Sequence, residues 1–195
     1  MRKRILLIQG HPDLSQDHLC HTLADAYATG ATGSGHELRR TTVATLDFPL
    51  LRSQRDWEEG TVPPGLVQAQ DDIQWSQHIV LFFPLWLGDM PALLKGFLEQ
   101  VARPGFAFSD KRLDIRGTRP LAGRSARVVV TMGMPALVYR LYFRAHSIKS
   151  LKRNILKFVG IKPVSDTLIG MAGNTDTAKV GSLMGKMEEL GRDGA

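Results

Sequence analysis

The sequence contains a single cysteine, Cys20, and no apolar stretch long enough to span a bilayer. One cysteine cannot form an intramolecular disulfide, so nothing indicates an oxidising compartment. The basic start, residues 1–4, is followed by an apolar run of only residues 5–8, which is too short for the core of a signal peptide. We therefore expect a cytoplasmic protein.

Acidic residues are missing from one long segment, residues 139–162, which carries seven lysines and arginines. The whole chain has 25 basic and 19 acidic residues, so this segment accounts for the net charge of +6. The charge is not accompanied by a recognisable nucleic-acid-binding module, and no nucleic-acid partner is expected. The length of 195 residues, with 43% hydrophobic and 23% charged, predicts one globular domain, residues 1–195.

Short apolar runs alternate with helical patterns along the chain. The runs predict strands at residues 4–9, 37–43, 78–83, 127–131 and 163–169. Apolar residues at helical spacing predict helices at residues 15–30, 66–76, 92–101, 138–159 and 177–190, with irregular connections at 46–64 and 103–124. This alternation predicts an α/β fold in which helices cover both faces of a parallel sheet.

Five strands in this arrangement fit the flavodoxin-like order 2-1-3-4-5, a three-layer sandwich, better than the six-stranded dinucleotide-binding fold. Ligands of such sheets bind beyond the carboxyl ends of the strands, where the strand order reverses. For this order the reversal lies between the first and third strands. The loops at residues 10–15, 84–91 and 131–135 are therefore the candidate site.

The first of these loops predicts an anion site. Ser15 is a candidate N-cap, and the backbone N–H groups of Asp17 and His18 would then lie at a helix N-terminus, which favours a phosphate. His11, just past the strand, could donate to the same phosphate. Two alternatives remain open: His11 serves only to fix the turn, and Ser15 serves only to cap the helix.

The second loop places a tryptophan, Trp86, directly after a buried strand and between two prolines, Pro84 and Pro91. An indole in this position supplies a rigid apolar wall for a flat conjugated ligand, and Gly88 permits close approach of the backbone. The alternative is that Trp86 only covers the core.

Several motifs together resemble the NAD(P)H:quinone oxidoreductases of the flavodoxin-like fold, a group that includes the DT-diaphorases, bacterial drug-modulator quinone reductases and ancillary flavoproteins of potassium efflux systems. The resemblance rests on Gly-His-Pro at residues 10–12, Phe-Pro-Leu-Trp at 83–86, Met-Pro-Ala-Leu-Leu-Lys-Gly at 90–96 and Gly-Phe-Ala-Phe at 105–108. It is dense from residue 4 to about 108 and thinner afterwards.

The resemblance implies a flavin, with its phosphate side held by His11, Ser15, Asp17 and His18. The ring would be lined by Pro84, Leu85, Trp86, Leu87 and Gly88, with backbone N–H groups of this loop near N5 and O4. Backbone dipoles of Thr131, Met132 and Gly133 would stabilise negative charge on the reduced ring. The family's tyrosine and histidine beside the ring have their nearest equivalents in Tyr139 and His146, with Tyr142 as an alternative; Met134-Pro135 departs from the family's pattern here.

The activity implied is that of an enzyme, a flavin-dependent NAD(P)H oxidoreductase. Hydride would pass from NADPH or NADH through flavin N5 to a quinone or a similar acceptor in a ping-pong reaction, with FAD or FMN as the flavin. The group also implies a homodimer whose acceptor pocket is completed across the interface.

The basic segment leaves other possibilities open. It is best explained as a solvated helix face, but it could also contact the nucleotide's phosphates, or dock on an anionic membrane or a partner. The last case would make the protein a flavin-carrying ancillary subunit of a membrane transport system. No metal site is expected, because His18, Cys20 and His21 lack a further ligand and a solvated face explains the histidines better.

Overall fold

A computed structural model of the chain describes residues 1–108, 119–174 and 176–195. Its sheet has five parallel strands in the order 2-1-3-4-5: β1 Arg4–Gln9, β2 Glu37–Thr42, β3 His78–Pro84, β4 Ser125–Thr131 and β5 Val164–Ile169. The α-helices are α1 Leu19–Gly33, α2 Gln54–Glu58, α3 Val67–Trp75, α4 Ala92–Val101, α5 Ala136–Leu141, α6 His146–Ser150 and α7 Thr177–Asp193. The predicted α/β fold and strand order are confirmed.

Alternate residues of the central strands serve two cores. Ile5 and Leu7 of β1 pack with α1 and α7 on one face of the sheet. Leu6 and Ile8 point the other way, into a core completed by α3, α4 and α6. A strand buried on both faces needs apolar residues at every position, which explains the unbroken apolar runs of the sequence.

Helices α1 and α7 pack in direct contact through glycine. A Cβ atom added at Gly30 would lie 2.0 Å from the carbonyl oxygen of Glu188. One added at Gly191 would lie 2.2 Å from the carbonyl oxygen of Tyr27. Only glycine lets the two backbones approach this closely, so α7 is fixed against the helix that begins beside the candidate site.

The helix predicted over residues 138–159 is broken. Helix α5 ends at Leu141, and Arg144 and Ala145 adopt left-handed backbone conformations with φ of 53° and 48°. Helix α6 follows and continues into a π-helical segment, Leu151–Leu156. The break carries no glycine or proline that would have marked it in the sequence.

Other boundaries differ by smaller amounts. The connection predicted as irregular over residues 46–64 contains α2, and short 3₁₀ turns lie at Val43–Thr45 and Pro64–Leu66. Part of the predicted loop 103–124, residues 109–118, lies outside the described residues. Within the described part of the chain, no helix combines the length and apolar character needed to cross a bilayer.

Candidate functional site

A cavity of about 400 Å³ opens at the carboxyl edge of the sheet, beyond the ends of β1, β3 and β4. The strands end level there, since Pro84 is in register with Thr131 and Thr131 with Ile169. The cavity therefore lies at the reversal of strand order that the sequence indicated. Its lining residues are His11, Asp13, His18, Leu19, Cys20, Pro84, Leu85, Trp86, Thr131, Met132, Gly133, Ala172 and Gly173.

Asp13 organises the first loop of the cavity. Its carboxylate accepts hydrogen bonds from the hydroxyl of Ser15 at 2.6 Å and from the backbone N–H of Ser15 at 2.8 Å. Its second oxygen lies 2.8 Å from Nε2 of His18. The hydroxyl of Ser15, followed by these other contacts, holds the pKa of Asp13 well below its usual range, so the carboxylate is ionised at neutral pH.

The expectation that Ser15 caps the first helix is wrong. Helix α1 begins at Leu19 with His18 in the N-cap position, and no side chain caps it. The hydroxyl of Ser15 is already bound to Asp13, and the backbone N–H groups of Asp17 and His18 precede the helix. Leu19 and Cys20, whose N–H groups belong to the uncapped first turn of α1, line the cavity instead, so the positive end of the helix dipole lies beside it.

His11 is buried beside this helix end. Its Nδ1 lies 3.1 Å from both the backbone nitrogen and the carbonyl oxygen of Asp13, so it accepts from the N–H in one tautomer and donates to the carbonyl in the other. The ring stacks on His18 with centroids 3.9 Å apart. Burial, with the neighbouring His18 and His21, lowers the pKa of His11 to about 4, so the ring is neutral at pH 7.

His18 and His21 do not form the solvated face that the sequence favoured. Both are half-buried, and their rings lie 5.5 Å apart in a cluster with His11. Burial is the main cause that lowers the pKa of His21. Across the described residues, no group of three or more His, Cys, Asp and Glu side chains is arranged to hold a metal ion.

The tryptophan loop forms a tight reversal. The backbones of Trp86 and Asp89 exchange hydrogen bonds of 2.8 and 3.0 Å, and the two residues between them have positive φ, 49° at Leu87 and 82° at Gly88. This is the geometry of a two-residue turn that glycine favours. The turn projects Trp86, which is 47% exposed, and the ring centroids of Trp86 and His11 lie 5.8 Å apart in an edge-to-face arrangement. Trp86 is therefore a wall of the cavity rather than a cover of the core.

The backbone N–H groups of this loop, which were expected to face a bound ring, are placed differently. The N–H of Leu85 is bound to the carbonyl of Thr131 at 2.8 Å, and that of Trp86 is used in the turn. Neither is free to approach a ligand. Among the described residues the N–H groups of Leu87 and Gly88 have no partner, but these two residues do not line the cavity.

The third loop and a fourth segment complete the cavity. Met132 donates its N–H to the carbonyl of Ile169 at 2.9 Å and accepts from Ala172 at 3.0 Å, while Gly133 is exposed and keeps its N–H unpaired within the described part of the chain. Ala172 and Gly173, after β5, were not predicted. They follow the carboxyl end of a strand like the other lining loops, and that rule could have identified them.

Tyr139 and His146 lie outside the cavity lining. Tyr139 is 1% exposed, and its hydroxyl is buried without a partner among the described residues. Its burial in the core argues against proton transfer to a ligand. His146 is exposed, and the alternative tyrosine, Tyr142, is 80% exposed.

The structure therefore brings together His11, His18, Pro84, Leu85, Trp86, Thr131, Met132 and Gly133 of the predicted site residues. Ser15 acts through Asp13, and Asp17 is exposed away from the lining. Asp13, Leu19 and Cys20 are additional lining residues that the sequence did not single out.

These features define a class: a doubly wound α/β protein with an aromatic-walled ligand cavity at its strand-order reversal. A family model described as flavodoxin-like fold matches residues 3–189. The chain belongs to this family.

Known proteins with similar sequence or structure agree with this assignment. The chain is 26% identical over 130 residues to NAD(P)H dehydrogenase [quinone] 1 of Rattus norvegicus, covering 64% of this chain and 46% of that protein. An NAD(P)H:quinone oxidoreductase from Methanothermobacter marburgensis superposes with a TM-score of 0.82 at 21% identity, covering 99% and 97% of the two chains. An FMN-dependent NADH-azoreductase from Bacillus anthracis, in complex with FMN, gives 0.74 at 16% identity, with both chains fully covered. The chain spans only about a third to a half of the length of several curated relatives.

Proposed function

We propose that this protein is a flavin-dependent NAD(P)H oxidoreductase that reduces quinones or similar acceptors. The observation that carries the proposal is the cavity in which a half-exposed indole faces an uncapped helix N-terminus. A flat conjugated ring needs such a wall, and a phosphorylated tail needs such an anion site. Relatives named as NAD(P)H dehydrogenases and quinone oxidoreductases support the same assignment.

The residues present fit a flavin nucleotide, FAD or FMN. The cavity volume of about 400 Å³ lies within the range of cofactor pockets. The N–H groups of Leu19 and Cys20 would hold the phosphate side, with the neutral ring of His11 beside them. The ionised carboxylate of Asp13 would repel a phosphate, and its contact with His18 reduces that repulsion.

A bound flavin would accept a hydride at N5 from NADPH or NADH and pass the electrons to an acceptor that takes the same place in turn. Trp86 holds the ring position, and Pro84 and Leu85 exclude water behind it. The unpaired N–H of Gly133 would stabilise negative charge at the cavity without a catalytic carboxylate. Of the candidates for proton transfer, Tyr142 and His146 are exposed and Tyr139 is not.

The same proposal includes a homodimer. Helix α5 and the turn after it expose five large apolar side chains, Leu137, Val138, Leu141, Tyr142 and Phe143. An apolar patch of this kind marks an association surface in a monomer. Since α5 follows directly after the loop of Gly133, a second copy bound there would flank the cavity and could complete the acceptor site.

The decisive experiment is to purify the protein, record its visible spectrum, and identify any released flavin by chromatography after denaturation. We expect a yellow protein that is bleached by NADPH or NADH under anaerobic conditions and recoloured by a quinone. A folded protein that stays colourless after incubation with FMN and with FAD would refute the proposal.

The alternative function, an ancillary flavin-carrying subunit of a membrane transport system, is favoured by the basic segment alone. It differs in one measurable respect. The purified chain would be bleached by NAD(P)H but would show turnover with acceptors only after addition of its membrane partner. Multiple turnovers by the purified chain favour the enzyme.

A further inference from the structure

A second cavity, of about 620 Å³, lies against the outer strand β5 and is lined mainly by cationic side chains. We call it the basic cavity. Its lining residues are Arg140, Arg144, Ala145, Ile148, Lys149, Lys152, Arg153, Lys157, Asp166 and Leu168. None of them lines the cavity beside Trp86, so the two are separate sites.

Positive charge in the basic cavity is largely uncompensated. Six of its lining residues are lysine or arginine, and one, Asp166, is acidic. Asp166 forms an ion pair with Lys152, and Nη2 of Arg140 lies 3.4 Å from its other oxygen. The four remaining cationic side chains have no ion pair among the described residues; they are Arg144, Lys149, Arg153 and Lys157. Like charges around one cavity repel one another unless an anion is bound between them.

The backbone of the basic cavity is held in unusual conformations. Arg144 and Ala145, both in the lining, have φ values of 53° and 48°, which cost energy for residues other than glycine. The cationic residues 152 and 153 lie on the π-helical segment, a form that is frequent at functional sites. The turn and the widened helix bring the charges of α5, α6 and the π-helical segment around one opening.

The floor of the basic cavity is apolar. Ile148 is buried and Ala145 and Leu168 are half-buried, whereas every cationic lining residue except half-buried Lys152 is exposed. A simple solvated helix face would not enclose a volume of this size, which lies within the range of small-molecule sites. A flat membrane surface or an extended nucleic acid would contact the rim but not the floor.

We propose that the basic cavity binds a compact small molecule that bears two or more phosphate groups. Several point charges from lysine and the planar forks of arginine are suited to adjacent phosphates, and a single phosphate would leave most of the cations unpaired. The proposal does not depend on the flavin-dependent activity, because the two cavities share no lining residue.

The test is isothermal titration calorimetry with sodium tripolyphosphate and with orthophosphate, on protein saturated with flavin so that the first cavity is occupied. The triple variant K149Q/R153Q/K157Q removes three unpaired charges. The control variant K179Q/K186Q/R192Q removes three exposed charges from α7. We expect the natural protein to bind tripolyphosphate more tightly than orthophosphate. We expect the affinity for tripolyphosphate to fall about tenfold in K149Q/R153Q/K157Q and to stay unchanged in the control variant.

Three outcomes would overturn the proposal: no binding of tripolyphosphate, equal loss of binding in both variants, or binding only to vesicles of phosphatidylcholine and phosphatidylserine. The second would indicate diffuse attraction by net charge, and the third a membrane-docking surface. Circular dichroism of both variants checks that they fold. If the protein binds no flavin, the comparison of variants is made on the protein without flavin, and the proposal is judged independently.

Discussion

Trp86 is the residue that converts a surface loop into a ligand wall. It lies on a turn in which Leu87 adopts a φ of 49°, a backbone conformation that residues other than glycine rarely take. Among the aromatic rings of the described residues, the exposed indole packs edge-to-face with that of His11. The loop therefore leaves an aromatic face uncovered beside polar donors.

We expect Trp86→Ala to weaken flavin binding about 2- to 12-fold, because an aromatic contact with a conjugated ring contributes about 0.5–1.5 kcal/mol. Fluorescence titration with FMN and FAD measures the change. Leu87→Ala is the matched control, since Leu87 is exposed in the same turn and does not line the cavity. Equal affinities for the Trp86→Ala variant and the natural protein would contradict a stacking role.

His78 predicts a pH dependence of stability. Its Nδ1 lies 2.7 Å from the hydroxyl of Ser125, its Nε2 is buried without a partner among the described residues, and burial lowers its pKa to about 4. The unfolded chain, with a pKa near 6.5, therefore binds more protons between these values. The stability that the folded protein gains from keeping His78 neutral is therefore fully present above pH 6.5 and is lost as the pH falls toward 4.

We expect the contribution of His78 to lower the free energy of unfolding by about 1–3 kcal/mol as the pH falls from 7 to 4. Urea unfolding of His78→Gln over this range should show a smaller decrease than the natural protein. Exposed His146→Gln serves as the control and should follow the natural protein. If the free energy of unfolding of His78→Gln depends on pH as strongly as that of the natural protein, His78 does not cause this pH dependence.

At the residue scale, the sequence located most of the cavity because Trp86 and His11 directly follow buried strands. It did not reveal that Asp13 takes the hydroxyl of Ser15, since both are ordinary loop residues in a sequence. It also did not reveal that Tyr139 faces the core, because α5 is too short for its apolar spacing to define a face.

At the scale of helices and strands, the strands were predicted to within one or two residues. The central strands β1, β3 and β4 contain short apolar runs, as burial on both faces of the sheet requires, whereas the edge strands β2 and β5 carry exposed polar residues. The helices were predicted less well where local hydrogen bonds and backbone conformation determine where a helix begins or ends. Asp13 delays the start of α1 to Leu19, and the left-handed residues Arg144 and Ala145 divide the helix expected over 138–159.

The contact between α1 and α7 gives a prediction at this scale. We expect Gly191→Ala to lower the free energy of unfolding by about 1–3 kcal/mol, because its Cβ would overlap the backbone of Tyr27. Gly185→Ala, in the same helix with no atom within 4 Å, is the control and should raise stability by up to about 1 kcal/mol. Thermal unfolding of both variants measures the difference; equal shifts would show that the helices separate easily.

At the scale of the whole molecule, a monomer would leave the apolar side chains of α5 and the turn after it exposed to water. We expect Leu141→Asp, at a site 70% exposed, to convert the proposed dimer to a monomer, because a charge would be buried against the apolar partner surface. Leu50→Asp, at another exposed leucine, should leave the dimer intact.

Sedimentation velocity measures both variants, and turnover with a quinone should decrease only in the monomeric one. A natural protein that sediments as a monomer at every concentration would remove the basis of this prediction. A dimeric Leu141→Asp variant would place the interface elsewhere.

Cys20 lines the cavity proposed for quinone reduction, and quinones are electrophiles that alkylate thiolates by Michael addition. Burial raises the pKa of this thiol to about 12, and its Sγ lies 3.5 Å from Oε1 of Gln9 as a donor. Practically no thiolate is present at neutral pH, and the thiolate is the nucleophile in such additions. A reactive acceptor bound in this cavity, as proposed, would therefore form no covalent adduct with the sulfur of Cys20.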